Sequence, residues 1–330
     1  MHHGPHGPAE TAGGQPPGRA RMRSKPALQA AIRQQRRTAL VVNTRSRRGL
    51  RLYQAASGQL RAAGFDLLGS FRIEQPGQLE TSLDTALDLR PDLLIVGGGD
   101  GTLSQAARHL AHRDVAMGIL PLGTTNNFAR TLGIPLDVTG AVGVLAGGKV
   151  ADVDLGQAGG TIFANLVSAG LSGHVAATVR HDLKRVLGRA AYPLTALARL
   201  PRHRPFRATI TTGGRDYTLE THQLNIANGS FHAGRPIARD ASADDRLLLV
   251  YRLGGASRAG LIGATIRHAL LGARRTQAEP AFLATSELWL HTDPPLPLDV
   301  DGEIRGQTPA RITLAANALR VMVAPDFPDT

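Results

Sequence analysis

The run Val96-Gly97-Gly98-Gly99-Asp100-Gly101-Thr102 sets four glycines around one carboxylate. Glycine lets backbone approach an anion closely, and a helix starting after such a turn offers free N–H groups and a positive dipole end to phosphate. Asp100 would then stand beside phosphates of its own sign, which makes sense with a divalent cation between them. A plain tight turn with Asp100 as helix N-cap is the competing reading. A second polar turn, Pro121-Leu122-Gly123-Thr124-Thr125-Asn126-Asn127-Phe128-Ala129-Arg130, follows the next strand. Two consecutive strand ends of this kind lie on one carboxyl edge of a parallel sheet, where such folds bind ligands.

Other chemistries fail on residue identity. A P-loop needs Gly-Lys before Ser or Thr, and Gly148-Lys149 is followed by Val150. His112-Arg113-Asp114 imitates a protein-kinase catalytic loop, but Ile119 stands where that loop needs Asn. Gly170-Leu171-Ser172-Gly173-His174 lacks the closing glycine of an esterase elbow, and Thr102 replaces the third glycine of a dinucleotide fingerprint. The chain has no cysteine, which removes thiolate catalysis, disulfides and Cys-based zinc sites and points to a reducing, cytoplasmic setting.

The elements that would position these turns alternate between strands and helices from residue 38. Strands are expected at 39–43, 65–73, 92–96 and 115–120, with helices up to about 63, at 79–87 and at 102–110. Past residue 150 short β-type runs dominate, at 162–168, 206–212, 217–227, 246–253, 287–290 and 320–323, with helical stretches at 174–200 and 257–271. This predicts an α/β plus β fold: a basic disordered arm over 1–37, an α/β nucleotide-binding domain over 38–150, and a β-rich domain over 151–330.

Charge adds a partner expectation. Of 330 residues, 38 are Lys or Arg against 26 Asp or Glu, a formal net charge of +12. The arm carries six of that excess, and residues 180–207 carry seven, with Leu183, Leu187, Leu194, Leu197 and Leu200 interleaved. A basic, leucine-bearing helix suits an anionic membrane surface, and an ordinary solvated face is the alternative. No run approaches the ~18 uninterrupted apolar residues of a spanning helix, so a soluble or peripheral protein is expected. With aromatics at 4%, nucleic acid is not an expected partner.

The two turns together resemble the diacylglycerol kinase catalytic family, including bacterial diacylglycerol kinases and related lipid kinases. The resemblance runs from about Thr38 to Pro325 and takes in Asn43 to Gly49, Lys184 to Tyr192, Asn228-Gly229 and Asp301-Gly302-Glu303. It implies an N-terminal α/β domain and a C-terminal β-sandwich-like domain, with the active site between them and the last strand returning to the first domain. It also implies an ATP- and Mg²⁺-dependent kinase acting on a membrane lipid alcohol, with diacylglycerol as the leading acceptor. A sphingoid base, a monoacylglycerol, a polyprenol, or a weakly catalytic nucleotide- or lipid-binding role remain alternatives. A homodimer is kept open.

By that resemblance, Asn43, Thr44, Arg45, Ser46 and Arg47 would line ATP with Gly98, Gly99, Asp100, Gly101, Thr102, Leu103, Ser104, Thr124 and Asn126. Glu303 would be the general base, with Asp100 second. The metal loop reads Asp244-Asp245-Arg246, so Asp244 with the carbonyls of Ala241 and Arg246 would form the metal site. Three residues depart from the family pattern: Asn127 replaces an aspartate, Ile73 a nucleotide-contacting threonine, and Asp245 a glycine.

Overall fold

The computed structural model describes residues 22–45, 47–171, 204–229, 231–232, 235–236, 246–252 and 281–329. Its first half contains α1 (Lys25–Gln35), β1 (Arg37–Asn43), α2 (Arg47–Ala62), β2 (Asp66–Ile73), α3 (Gln78–Asp88), β3 (Leu93–Gly98), α4 (Asp100–Leu110), β4 (Ala116–Pro121), α5 (Asn127–Thr131) and α6 (Val138–Gly147). There follow β5 (Lys149–Ala158), β6 (Thr161–Phe163), β7 (Leu166–Gly170), β8 (Phe206–Thr212), β9 (Arg215–Thr221), β10 (Gln223–Ala227), β11 (Phe231–His232) and β12 (Arg235–Pro236). The chain closes with β13 (Leu248–Arg252), β14 (Leu283–Thr285), β15 (Glu287–Asp293), β16 (Pro297–Val300), β17 (Glu303–Gln307) and β18 (Ala310–Val323).

Leu93 to Val96 and Ala116 to Leu120 are buried on both faces, the mark of central parallel strands covered by helices. They form the middle of a sheet ordered β2-β1-β3-β4-β18-β15-β8-β9, with β5 and β6 branching from β18. The pairs β1 with β2, β1 with β3, and β3 with β4 are parallel. This brings the ends of β3 and β4, and the two turns that follow them, side by side.

Strand β18 joins the two halves. Its end runs parallel to β4 at Val321 and Met117, while its start pairs with β15 at Ala310 to Thr313. The register along β5 shifts between Ala315 and Leu319, where Asn317 takes φ 51° and donates its N–H to Asp154 Oδ1 at 2.8 Å. A second sheet, ordered β14-β13-β10-β7-β16-β17, packs Val167, Leu224, Ile226, Val250 and Val300 into one core with Ile210, Leu290 and Ile312 of the first. The result is an N-terminal α/β unit and a C-terminal antiparallel, sandwich-like unit.

Three expectations need correction. The arm over 1–37 is not structureless throughout: residues 1–21 lie outside the described residues, but α1 is a helix with Leu28 and Ile32 buried four residues apart. Ser24 Oγ caps it by accepting from Ala27 N at 3.3 Å, and Pro26 sits in its first turn. Charges of this arm are paired: Arg23 meets Asp92 at 2.6 Å and Asp114 at 2.8 Å, and Lys25 meets Asp329 at 2.8 Å. Second, the boundary expected near 150 falls at the start of β5, which stays in the large sheet by pairing with β18. Third, the single runs at 162–168 and 217–227 each split into two strands, β6 with β7 and β9 with β10. The helical stretches expected at 174–200 and 257–271 lie outside the described residues.

Candidate active site

The two glycine turns touch. A Cβ on Gly123 would lie 2.4 Å from the Gly99 Cα and 2.6 Å from Asn126 Oδ1, so neither loop could close on the other with a side chain there. Leu122 N donates to the Gly98 carbonyl at 2.8 Å and carries the β3–β4 pairing into the loops. Asn126 holds φ 50° and fastens Gly123 twice, accepting from its N–H at 3.0 Å and donating to its carbonyl at 3.2 Å.

Asp100 is the first residue of α4, and Gly99 takes the N-cap position. The Asp100 carboxylate therefore serves the second loop instead of its own helix. Oδ2 accepts from Thr125 Oγ at 2.6 Å, and Oδ1 accepts from Phe128 N at 3.3 Å, satisfying a donor at the start of α5. Arg130 Nε donates to the Thr125 carbonyl at 2.9 Å from the far end of that short helix.

The other loop residues divide by where they point. Asn43, at the end of β1, donates to Thr102 Oγ at 3.1 Å and accepts from Arg45 N at 3.2 Å, tying the first loop to the glycine turn. Thr44 is buried and donates to the Ile73 carbonyl through N at 3.0 Å and Oγ at 3.3 Å. Ile73 is itself buried, so its side chain belongs to the core. Arg45 and Thr124 are exposed, and Gly101 sits in the first turn of α4. Leu103 is fully buried, and Ser104 accepts from Asn165 Nδ2 at 2.9 Å, so neither turns a side chain outward. Arg47 opens α2, and Ser46 lies outside the described residues.

Glu303 meets the same helix farther along. It follows the tight turn Asp301-Gly302, where φ is 50° and 91°, and its register partner across the hairpin is Val300. Gln105 Nε2 donates to Glu303 Oε1 at 2.7 Å, Arg305 Nη2 lies 3.0 Å from Oε2, and Arg108 Nη1 lies 3.6 Å from it. Burial alone would raise this carboxyl, but donation from Arg305 and Gln105 and the charges of Arg305 and Arg108 outweigh it. The net effect holds Glu303 below the usual carboxylate range. An α-helix rises ~1.5 Å per residue, so Gln105 stands ~7.5 Å along α4 from Asp100.

The hairpin is held by Asp301. Its half-buried carboxylate accepts from the N–H groups of Ala164 at 2.7 Å, Asn165 at 3.0 Å and Leu166 at 3.0 Å, and from the Ser104 hydroxyl. Burial nonetheless pushes this carboxyl up, as it does Asp299, whose Oδ1 accepts from Gly302 N at 2.7 Å. Gln105, Arg108, Arg305 and Asn165 were not singled out from sequence. Gln105 and Arg108 stand three apart on one helix face, a usable signal, but nothing local shows that a hairpin about 200 residues later covers them.

The metal loop is only partly visible. Ala241 and Asp244 lie outside the described residues, while Arg246 holds φ 59° ahead of β13. Among the described residues no group of three or more His, Cys, Asp or Glu is gathered as a protein-built metal cage would need. A groove of about 700 Å³, lined in part by Phe71, Arg72, Glu74, Gln78 and Thr81, lies along β2 and α3. None of the glycine-turn residues lines it. Of the basic stretch 180–207, only residues 204–207 are described.

A family model for the diacylglycerol kinase catalytic domain matches residues 37–158, and one for the YegS C-terminal NAD kinase beta sandwich-like domain matches 165–323. A "Probable lipid kinase YegS-like" of Pseudomonas fluorescens is 35% identical over 281 residues, covering 83% of this chain and 91% of its own. Its Pseudomonas aeruginosa counterpart is 34% identical over 274 residues, covering 81% and 88%. The crystal structure of a diacylglycerol kinase from Bacillus anthracis shares the fold, with a TM-score of 0.67 over 88% of this chain and 97% of that one at 23% identity. With both halves of the fold matched and relatives covered over most of their length, the chain belongs to the YegS-like lipid kinases of the diacylglycerol kinase catalytic family.

Proposed function

We propose that the protein transfers the γ-phosphoryl group of ATP to the hydroxyl of a membrane lipid, with diacylglycerol as acceptor and phosphatidic acid as product. The observation that carries this reading is the double use of α4. Its N-terminus, free of side-chain caps, faces the paired glycine loops, and its next turns hold the Glu303 carboxylate. A phosphate cradle and a carboxylate base set by one rigid helix are what phosphoryl transfer asks of a protein, which otherwise supplies positioning and charge.

In this reading the N–H groups of the 98–102 turn bind the ATP phosphates, and Asn43 and Thr124 flank the nucleotide. Glu303 accepts the proton of the lipid hydroxyl. Asp100, with one carboxylate and further lone pairs beyond its two hydrogen bonds, would hold Mg²⁺, an ion that takes one or two protein carboxylates and completes its shell with water and phosphate. Mg²⁺ would neutralise charge on the β- and γ-phosphates. Asp244, with the carbonyls of Ala241 and Arg246, is proposed as a separate structural metal site.

The arginine- and leucine-bearing stretch over 180–207 would bring the site to an anionic membrane surface, where each cationic residue contributes about 1 kcal/mol. Among the described residues no helix is long and apolar enough to cross a membrane. The amide pair Asn126-Asn127 favours one second reading, a member with weakened catalysis, because it leaves the second turn without a carboxylate. Labelled ATP offered with micelles of diacylglycerol, monoacylglycerol, a sphingoid base or a polyprenol tests the acceptor. Label is expected in phosphatidic acid; label in another lipid alone replaces the acceptor, and nucleotide binding without lipid labelling supports the second reading.

A further inference from the structure

The Glu303 carboxylate is enclosed by donors from two elements. Gln105 on α4 takes Oε1 at 2.7 Å, while Arg305 donates to Oε2 through Nη2 at 3.0 Å and Nε at 3.3 Å. Arg108 Nη1 stands 3.6 Å from the same oxygen. Arg108 Nε also donates to the Ile162 carbonyl at 3.1 Å. Asp299 and Asp301 of the same hairpin add carboxylates beside Glu303, Asp299 interacting with it by charge, and both are held by backbone donors.

Two guanidinium groups converge on the one Glu303 carboxylate, and together they carry more N–H donors than its oxygens take up. Guanidinium forks suit phosphate oxygens as well as carboxylate oxygens. Arg108 lies on the helix that opens at Asp100, ~12 Å farther along it, and Arg305 lies two residues past Glu303 on β17. Arg305 is 51% exposed and Arg108 23%, so both have donors open to an incoming group.

We propose that Arg108 and Arg305 receive the transferring phosphoryl group, and that Glu303 occupies their donors until it arrives, so that phosphate binding and release of the base are one event. This rests on reading Glu303 as the base. In the step, the acceptor hydroxyl gives its proton to Glu303 and its oxygen bonds to the γ-phosphorus. The bond from that phosphorus to the β,γ-bridging oxygen breaks, and ADP leaves with the electron pair. Charge spreading over the γ-oxygens meets the two guanidinium groups. With the arginines drawn to phosphate, Glu303 loses the partners that keep it a weak base.

Nucleotide binding and pH profiles of the full chain test this, using wild type, Arg305→Gln and Arg108→Gln. Both variants are expected to bind a non-hydrolysable ATP analogue about tenfold or more weaker, the scale of one charge-assisted hydrogen bond, while binding ADP like wild type. In wild type the acid limb of kcat/KM, which reports the free enzyme, should lie below that of kcat, which reports the loaded one. In Arg305→Gln the two limbs should converge. Unchanged binding of the analogue, or equal loss of ADP and analogue, overturns the proposal. Full turnover in Glu303→Gln with the arginine results intact would instead remove Glu303 as the base and leave the arginines as phosphate ligands.

Discussion

The Thr125 hydroxyl donates to the Asp100 carboxylate at 2.6 Å, so the loop after β4 and the loop after β3 are one object. Thr125→Val keeps the shape and removes the donor. Loss of a hydrogen bond to a charged group costs about 1.5–3 kcal/mol, so the variant should bind ATP about tenfold or more weaker by calorimetry while keeping its circular dichroism spectrum. Wild-type affinity would show that the loops hold their geometry without this bond.

Asp301 gathers three backbone donors and the Ser104 hydroxyl between the hairpin, residues 164–166 and α4. Asp301→Asn turns an amide NH₂ toward donors that need an acceptor. A melting temperature several degrees lower is expected, together with a fall in turnover larger than any change in KM for ATP, because Glu303 moves with the hairpin. A stable variant with normal turnover would show that the hairpin is placed by other contacts.

Arg23 links α1 to the opposite edge of the sheet through Asp92 and Asp114, and Arg320 adds a bond to Asp114 at 3.1 Å and to the Arg23 carbonyl at 2.6 Å. Arg23→Ala leaves the nearly buried Asp92 carboxylate without its partner, at a cost of about 2–3 kcal/mol. Thermal unfolding should shift down by about 5 °C or more, with turnover well below the transition unchanged. An unshifted melt would place α1 outside the cooperative unit.

Stability against pH reads the Glu303 cluster separately from catalysis. Its folded carboxyl is held below its unfolded value of about 4.3, so its contribution is present above that pH and is lost as pH falls through the folded value. The group is partly exposed, so the effect is small. Melts from about pH 3 to 6 should show a shallower acid slope in Arg305→Gln than in wild type. Identical slopes would show that Arg305 does not perturb the carboxyl.

What could be read from sequence follows from how local each signal is. The glycine turns were legible because strand, glycine and helix follow one another directly in the chain, from Leu93 to Leu110 and from Ala116 to Thr131, and Leu93–Gly98 carries a continuous apolar run. Helix α1 was not, because only Leu28 and Ile32 mark its buried face, and Arg23 and Lys25 look solvated until Asp92, Asp114 and Asp329 come close. Strand β5 was hidden by Gly147-Gly148, which reads as a linker but precedes a strand held by β18 from the far end of the chain. Glu303 was nominated by resemblance, yet its partners Gln105 and Arg108 became visible only when β16 and β17 folded back onto α4.

In the proposed reaction the two regions of α4 form one phosphotransfer site. Its most direct test is purified full-length protein with labelled ATP, Mg²⁺ and diacylglycerol micelles, run beside Glu303→Ala and an Asp100→Asn variant. Labelled phosphatidic acid is expected with wild type, with a loss of about a hundredfold or more in Glu303→Ala, the lower range for removal of a general base, and nucleotide binding retained by that variant. Undiminished lipid labelling by Glu303→Ala would contradict the proposed reaction.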